Sequence, residues 1–122
     1  MPKTKIDFDV VREMAMALPD VEESSLHGVA SLKVSGRLLT CPALHRSAEP
    51  NSMMVRIDFE QRTKLMAAEP GIYYVTEHYV KHPAVLVRLG EIDRKSLRDL
   101  LRRAWHFVSS TKRKHAQTRR RN

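Results

Sequence analysis

Two histidines stand four residues apart in Glu77-His78-Tyr79-Val80-Lys81-His82. On a helix that spacing would turn both imidazoles toward one metal ion, as zinc sites require. Pro83 and the apolar runs on either side argue instead for a loop between two strands, and no Glu follows His78 to act as the general base of an HExxH hydrolase. The expectation is no metal, with the His and Tyr side chains of this loop capping exposed backbone. His27, before Gly28, and His45, in a polar stretch, titrate near neutral pH as imidazoles do, yet neither has a sequence neighbour that completes a nucleophile and base pair. Gly36, Gly71 and Gly90 are isolated, and no GxGxxG or Walker pattern is present to hold a phosphate. The single cysteine, Cys41, excludes an internal disulfide and reads as a small apolar residue. Neither catalysis nor a cofactor is expected.

The other chemistry in the chain is charge. The 22 Lys and Arg exceed the 14 Asp and Glu by eight, and the last eleven residues, 112 to 122, hold six of those bases and no acid. They are Lys112, Arg113, Lys114, Arg119, Arg120 and Arg121; the preceding 111 residues are close to neutral balance. A segment of this kind is drawn to polyanions by Coulomb attraction and counterion release, without a folded site of its own, and its composition predicts a mobile segment in the free protein. Just upstream, Arg94, Arg98 and Arg102 recur every four residues, with Lys95 and Arg103 beside them and only Asp93 and Asp99 in opposition. On a helix these form a basic stripe leading into a basic tail.

A chain of 122 residues fits one domain, with residues 1–111 as the folded unit and 112–122 as the extension. No apolar run approaches the length of a membrane span and the N-terminus lacks an apolar signal core, so the protein is expected in the cytoplasm and not at a membrane. Phe8, Val11, Ala15 and Leu18 recur at helical spacing, with Asp7 or Asp9 as the cap and Pro19 as the stop. Asp20 to Ser25 reads as an acidic link. Two strands, Ala30–Val34 and Arg37–Cys41, flank a Ser35-Gly36 turn, and a loop from Pro42 to Ser52 precedes a third strand, Met53–Ile57. Asp58 and Gln61 have capping-box spacing before a helix over Phe59–Glu69, whose buried side would be Phe59, Leu65, Met66 and Ala68. Strands over Ile72–Thr76 and Ala84–Leu89 follow, placing Tyr73 and Tyr74 on opposite faces of the sheet. Asp93 then caps a last helix with an apolar stripe of Leu97, Leu100, Leu101, Ala104, Trp105 and Val108. Short links between strands favour hairpins, which predicts an α+β fold: a mainly antiparallel sheet of about five strands, covered by helices on one face.

Four pieces of the chain, MALPDVEES, HGVASLKVSGRLLT, VRIDFEQRTKLMAAEP and YYVTEHYVKHPAVLVRL, together resemble the MmcQ/YjbR-like family of small bacterial proteins. The resemblance spans Phe8 to Val108 and implies a compact α+β domain with a curved antiparallel sheet and a DNA-binding role. It brings no reaction, cofactor or catalytic residue. Many relatives carry an aromatic residue, often Trp, near the start of the last strand, where this chain has Pro83-Ala84, and the basic tail is an addition to the common domain.

The expected function is nucleic-acid binding, to DNA and mostly without sequence preference, by a monomer or weak dimer. Arg98, Arg102 and Arg103 with the six tail bases would carry the phosphate contacts. A second reading is a protein-interaction or chaperone-like module working through the sheet face and an edge strand. A third is a small-molecule binder or enzyme around His27, Tyr74 and His78.

Overall fold

The computed structural model describes the backbone of residues 6–26 and 29–121, and the side chains of these except residues 26 and 111–121. His27 lies outside the described residues, as do the side chains of Lys112, Arg113, Lys114, Arg119, Arg120 and Arg121.

The first helix, α1 (Phe8–Met16), starts where Asp7 accepts hydrogen bonds from the Asp9 and Val10 amides, 3.1 and 3.4 Å long. This is the N-cap geometry that satisfies otherwise orphaned donors. Val11 and Ala15, one turn apart, are its buried residues. Pro19 then stops the helix, and Asp20, at φ 62°, turns the chain into β1 (Val21–Leu26). This strand corrects the acidic link expected from Asp20 to Ser25. It forms an edge of the sheet, and its Glu22 and Glu23 give that edge the charge that discourages pairing with a second chain. An edge strand buries too little to show the apolar alternation that betrays a central one.

Strand β1 pairs antiparallel with β2 (Val29–Val34), which pairs with β3 (Arg37–Pro42). Ser35 and Gly36 join β2 to β3 with φ of 50° and 86°, the two successive left-handed residues that a tight primed turn demands. One register shift interrupts this hairpin: Leu32 faces Thr40 but Lys33 faces Leu38, so Leu39 is an extra residue in β3. The bulge buries Leu39 and Thr40 in succession, and Thr40 donates its hydroxyl to the Met54 carbonyl at 2.7 Å.

The remaining elements are β4 (Ser52–Arg56), α2 (Phe59–Ala68), the two-residue β5 (Tyr73–Tyr74), β6 (Ala84–Arg88) and α3 (Arg94–Arg121). The sheet has six strands in the order β1-β2-β3-β4-β6-β5, all pairs antiparallel. The α+β fold therefore stands, with six strands where about five were expected.

Cross-strand register assigns the two faces. Val55 opposite Val85 and Met53 opposite Val87 face the helices, whereas Met54 opposite Leu86 and Arg56 opposite Ala84 face away. The core joins Met53, Val55, Ile57, Val85 and Val87 to Leu97, Leu100, Leu101, Ala104 and Val108 of α3 and to Val11 and Ala15 of α1. Asp93 caps α3 by accepting from the Ser96 amide at 2.7 Å. Trp105 ties the far end of its docked segment to the α1–β1 link, donating its indole N–H to the Pro19 carbonyl at 2.8 Å. At 28 residues α3 is about 42 Å long, and its backbone continues through the basic segment to Arg121.

Helix α2 departs from its expected packing. Asp58 accepts from the Gln61 amide at 2.7 Å and from the Gln61 side chain at 2.9 Å, so the cap is present. No residue of the helix is fully buried, however; Leu65 and Met66 are half-buried, Ala68 is exposed, and Phe59 is 47% exposed beneath the Arg62 guanidinium. The helix rests mainly against β5 and β6 at one end of the sheet, so it meets too little surface to bury a full stripe.

Candidate functional site

Among the described residues, the buried side chains of α1 and α3 pack on the first face of the sheet. The segments that follow β3 and β5 cover part of the second face, and between them and the strands lies a cavity of about 340 Å3. Leu38 of β3, Met54 and Arg56 of β4 and Ala84 of β6 form its floor, and His78, Tyr79, His82 and Pro83 form its wall. The Glu77–His82 segment is a succession of turns between β5 and β6, the strand-to-strand loop expected from the sequence, and its two histidines share the cavity. Among the described residues no group of three or more His, Cys, Asp and Glu could hold a metal.

Arg62 of α2 fixes this loop, since one of its guanidinium nitrogens donates to the carbonyls of Val80, His82 and Ala84 at 3.1, 3.0 and 3.2 Å. These carbonyls are capped from outside by an arginine, while of the expected His and Tyr side chains Tyr79 accepts a hydrogen bond from the His45 backbone in the neighbouring loop. His78 stacks face to face on His45, with ring centroids 3.5 Å apart and planes 8° from parallel, and Tyr79 meets both rings edge-on. His45 Nδ1 accepts from the Ser47 amide at 3.1 Å and lies 2.8 Å from the Ser47 hydroxyl, which in turn bonds Thr76 at 2.8 Å. An amide N–H pointing at Nδ1 requires a lone pair there, so the neutral ring carries its proton on Nε2.

Burial of the His45 ring, then the adjoining His78, then Arg46 hold the His45 pKa below the ordinary histidine value. The unfolded chain takes up this proton first, near pH 6.5. The contribution of the neutral stack is complete above that pH and is lost as pH falls through the ordinary range toward the lower folded value. Thermal melts between pH 8 and pH 5 should accordingly show a larger loss of Tm for the wild type than for His45→Gln. Equal losses would remove the stack as the cause.

Tyr73 and Tyr74 face opposite sides of the sheet, as expected, Tyr73 being buried in the core. Tyr74 shares a face with the cavity but does not line it. Its hydroxyl accepts from the Glu49 amide at 2.8 Å and lies 2.7 Å from the Ser52 hydroxyl, while Arg88 covers its ring at 4.2 Å. Arg88 also grips both oxygens of Glu49 at 2.8 Å, a fork that raises the arginine pKa and lowers that of the carboxyl. Tyr74 thus fastens the loop after β3 to the sheet. Of the trio His27, Tyr74 and His78, His78 lines the cavity, Tyr74 does not, and His27 lies outside the described residues.

Arg56 and Arg62 are the site residues that sequence reading missed. Arg56 left a signal: a lone Arg inside the apolar run Met53–Ile57 must point to the side opposite its neighbours. Arg62 left none, because its three acceptors lie 18 to 22 residues away.

On the opposite side of the molecule, the buried residues of α3 fix its rotation. Lys95, Arg98 and Arg102 fall within about 60° of one another on the outward side and are exposed. No carboxylate lies within ion-pair distance of them among the described residues. Arg103 differs: it donates to Asp99 at 2.8 Å and to the Gln61 side chain at 3.2 Å, which turns it toward α2 and offsets its charge.

The fold and its two sides define a small antiparallel α+β domain, with a basic helix on one layer and a loop-covered cavity on the other. A family model described as YjbR matches residues 16–107, and the chain belongs to that family. Similar proteins include ones named only as uncharacterized from Mycobacterium tuberculosis (strain ATCC 25618 / H37Rv) and Mycobacterium bovis (strain ATCC BAA-935 / AF2122/97). Each is 51% identical over 41 residues, 34% of this chain and 32% of the relative. The matched stretch thus spans about a third of the length of these relatives. No solved structure matches the chain. No helix among the described residues is long and apolar enough to cross a membrane.

Proposed function

We propose that the protein binds nucleic acid, DNA foremost, through the outward side of α3 and the basic segment that continues it. The observation that carries this reading is the exposed trio Lys95, Arg98 and Arg102, set on one side of a helix whose other side is docked on the sheet. Cations held close together repel one another unless an anion offsets them, and a phosphate backbone supplies anions at regular spacing. Sequence positions 113 and 120 fall 18 and 25 residues after Lys95, close to whole numbers of helical turns on the same helix. Contacts of this kind hold phosphates and do not read bases, so binding is mostly independent of sequence.

A titration of the full chain with labelled duplex DNA across a salt series tests the reading. Nine bases engaging phosphates predict a slope of log K against log salt of about −8. A slope shallower than about −2, or no binding near 50 mM salt, would sink it.

A further inference from the structure

The cavity on the far face of the sheet has no part in the phosphate contacts just described, and its composition is selective. Its floor is apolar apart from one residue, Arg56, and no Asp or Glu lines it. Arg56 donates its Nε–H to the Pro83 carbonyl at 3.3 Å and its guanidinium lies 5.9 Å from the Phe107 ring, but no carboxylate stands within ion-pair distance of it among the described residues. The charged side chain that acts on it is Arg37, a second cation. A half-buried guanidinium beside another cation is costly to keep charged, first through lost hydration and then through repulsion; both effects pull the Arg56 pKa below its ordinary value. An anion entering the cavity would relieve both at once.

The rest of the lining limits what that anion can be. A volume of about 340 Å3 lies at the lower end for small-molecule sites. His78, Tyr79 and His82 offer rings, and the Met54 thioether suits the edge of an aromatic ring. The wall is already in place without a ligand, since Arg62 holds two of the loop's carbonyls and that of Ala84 in β6, and the His45–His78 stack joins it to the neighbouring loop. Preformed pockets with an apolar body and a single placed charge recognise amphipathic small molecules.

We propose that this cavity binds a small aromatic carboxylate, its ring lying between Met54 and the imidazoles of the loop and its carboxylate meeting the Arg56 guanidinium. The site does not use the outward cations of α3, although the Phe107 ring of that helix lies 5.9 Å from the Arg56 guanidinium, and it stands whether or not the protein binds DNA.

Adjacent methionines provide the test. Met54 lines the cavity and Met53, on the other face of the same strand, is fully buried in the core. The full chain carrying 13C-methyl methionine is titrated with indole-3-acetate and, separately, with its uncharged isostere indole-3-acetamide. The expected result is a saturable shift of the Met54 methyl with the acid, an unmoved Met53 methyl, and binding of the amide weaker by about tenfold or more. Arg56→Gln should bring the acid down to the affinity of the amide, and Arg56→Lys should fall between. An acid that merely condenses on the basic tail moves neither methyl. No saturable Met54 shift up to about 10 mM acid, or equal binding of acid and amide, overturns the proposal. Should Arg56→Gln fail to fold, as reported by a displaced Met53 signal, the contrast between acid and amide on the wild type decides alone.

Discussion

Replacing Lys95, Arg98 and Arg102 together by glutamine is expected to lower affinity for duplex DNA by about 3 × 10³-fold at 50 mM salt and by about 80-fold at 200 mM. Each phosphate contact releases close to one condensed counterion, so losing three flattens the log-log salt slope by about 2.7. The slope is the stronger readout, because a general loss of folded protein would lower binding without changing it. All three side chains are exposed and without a carboxylate partner among the described residues, so the substitutions should leave the thermal midpoint within about 3 °C of wild type. An unchanged slope with intact folding would remove the outward side of α3 from the binding surface and leave the tail alone as the polyanion contact.

The second large effect is on stability. Leu101→Ala should destabilise the protein by about 3 kcal/mol and lower its Tm by about 10 °C, since Leu101 is 1% exposed and joins α3 to the sheet core. Phe59→Ala, which removes a larger side chain, should cost under about 0.5 kcal/mol because Phe59 is 47% exposed and packs chiefly beneath Arg62. Chemical denaturation of the two variants checks the ordering. A loss at Phe59 equal to that at Leu101 would mean that α2 is packed far more deeply than it is here.

That contrast shows where periodicity fails as a guide. Leu97, Leu100, Leu101, Ala104 and Val108 were legible as a buried stripe because α3 lies across several strands and one whole side of it is dehydrated. Phe59, Leu65, Met66 and Ala68 have the same kind of spacing, yet α2 meets mainly the end of the sheet, and no local pattern encodes how much surface a helix will meet. The strand β1 was missed for the converse reason. Val21-Glu22-Glu23-Ser24-Ser25-Leu26 is polar because it is an edge, and its pairing is supplied by the backbone of β2 rather than by apolar side chains.

The candidate sites divide in the same way. The basic stripe was readable because charge and a 3.6-residue period are both properties of sequence; only the docking of Leu97, Leu100 and Leu101 decided that Lys95, Arg98 and Arg102 face water while Arg103 turns to Asp99 and Gln61. The cavity was not readable, since Leu38, Met54, Arg56, His78 and Ala84 come from four separate segments.

By itself the sequence determined the caps at Asp58 and Asp93, narrowed the first cap to Asp7 or Asp9, and determined the Ser35-Gly36 turn, the central strands and the basic character of the last helix. These are decided by residues within a few positions of one another, where hydrogen-bonding side chains, positive φ and apolar repeats act over short distances. Only the tertiary structure decided the sixth strand, the exposure of α2, the His45–His78 stack and the cavity around Arg56. Each of those depends on which surfaces lose water against distant parts of the chain, and dehydration is a property of the assembled fold.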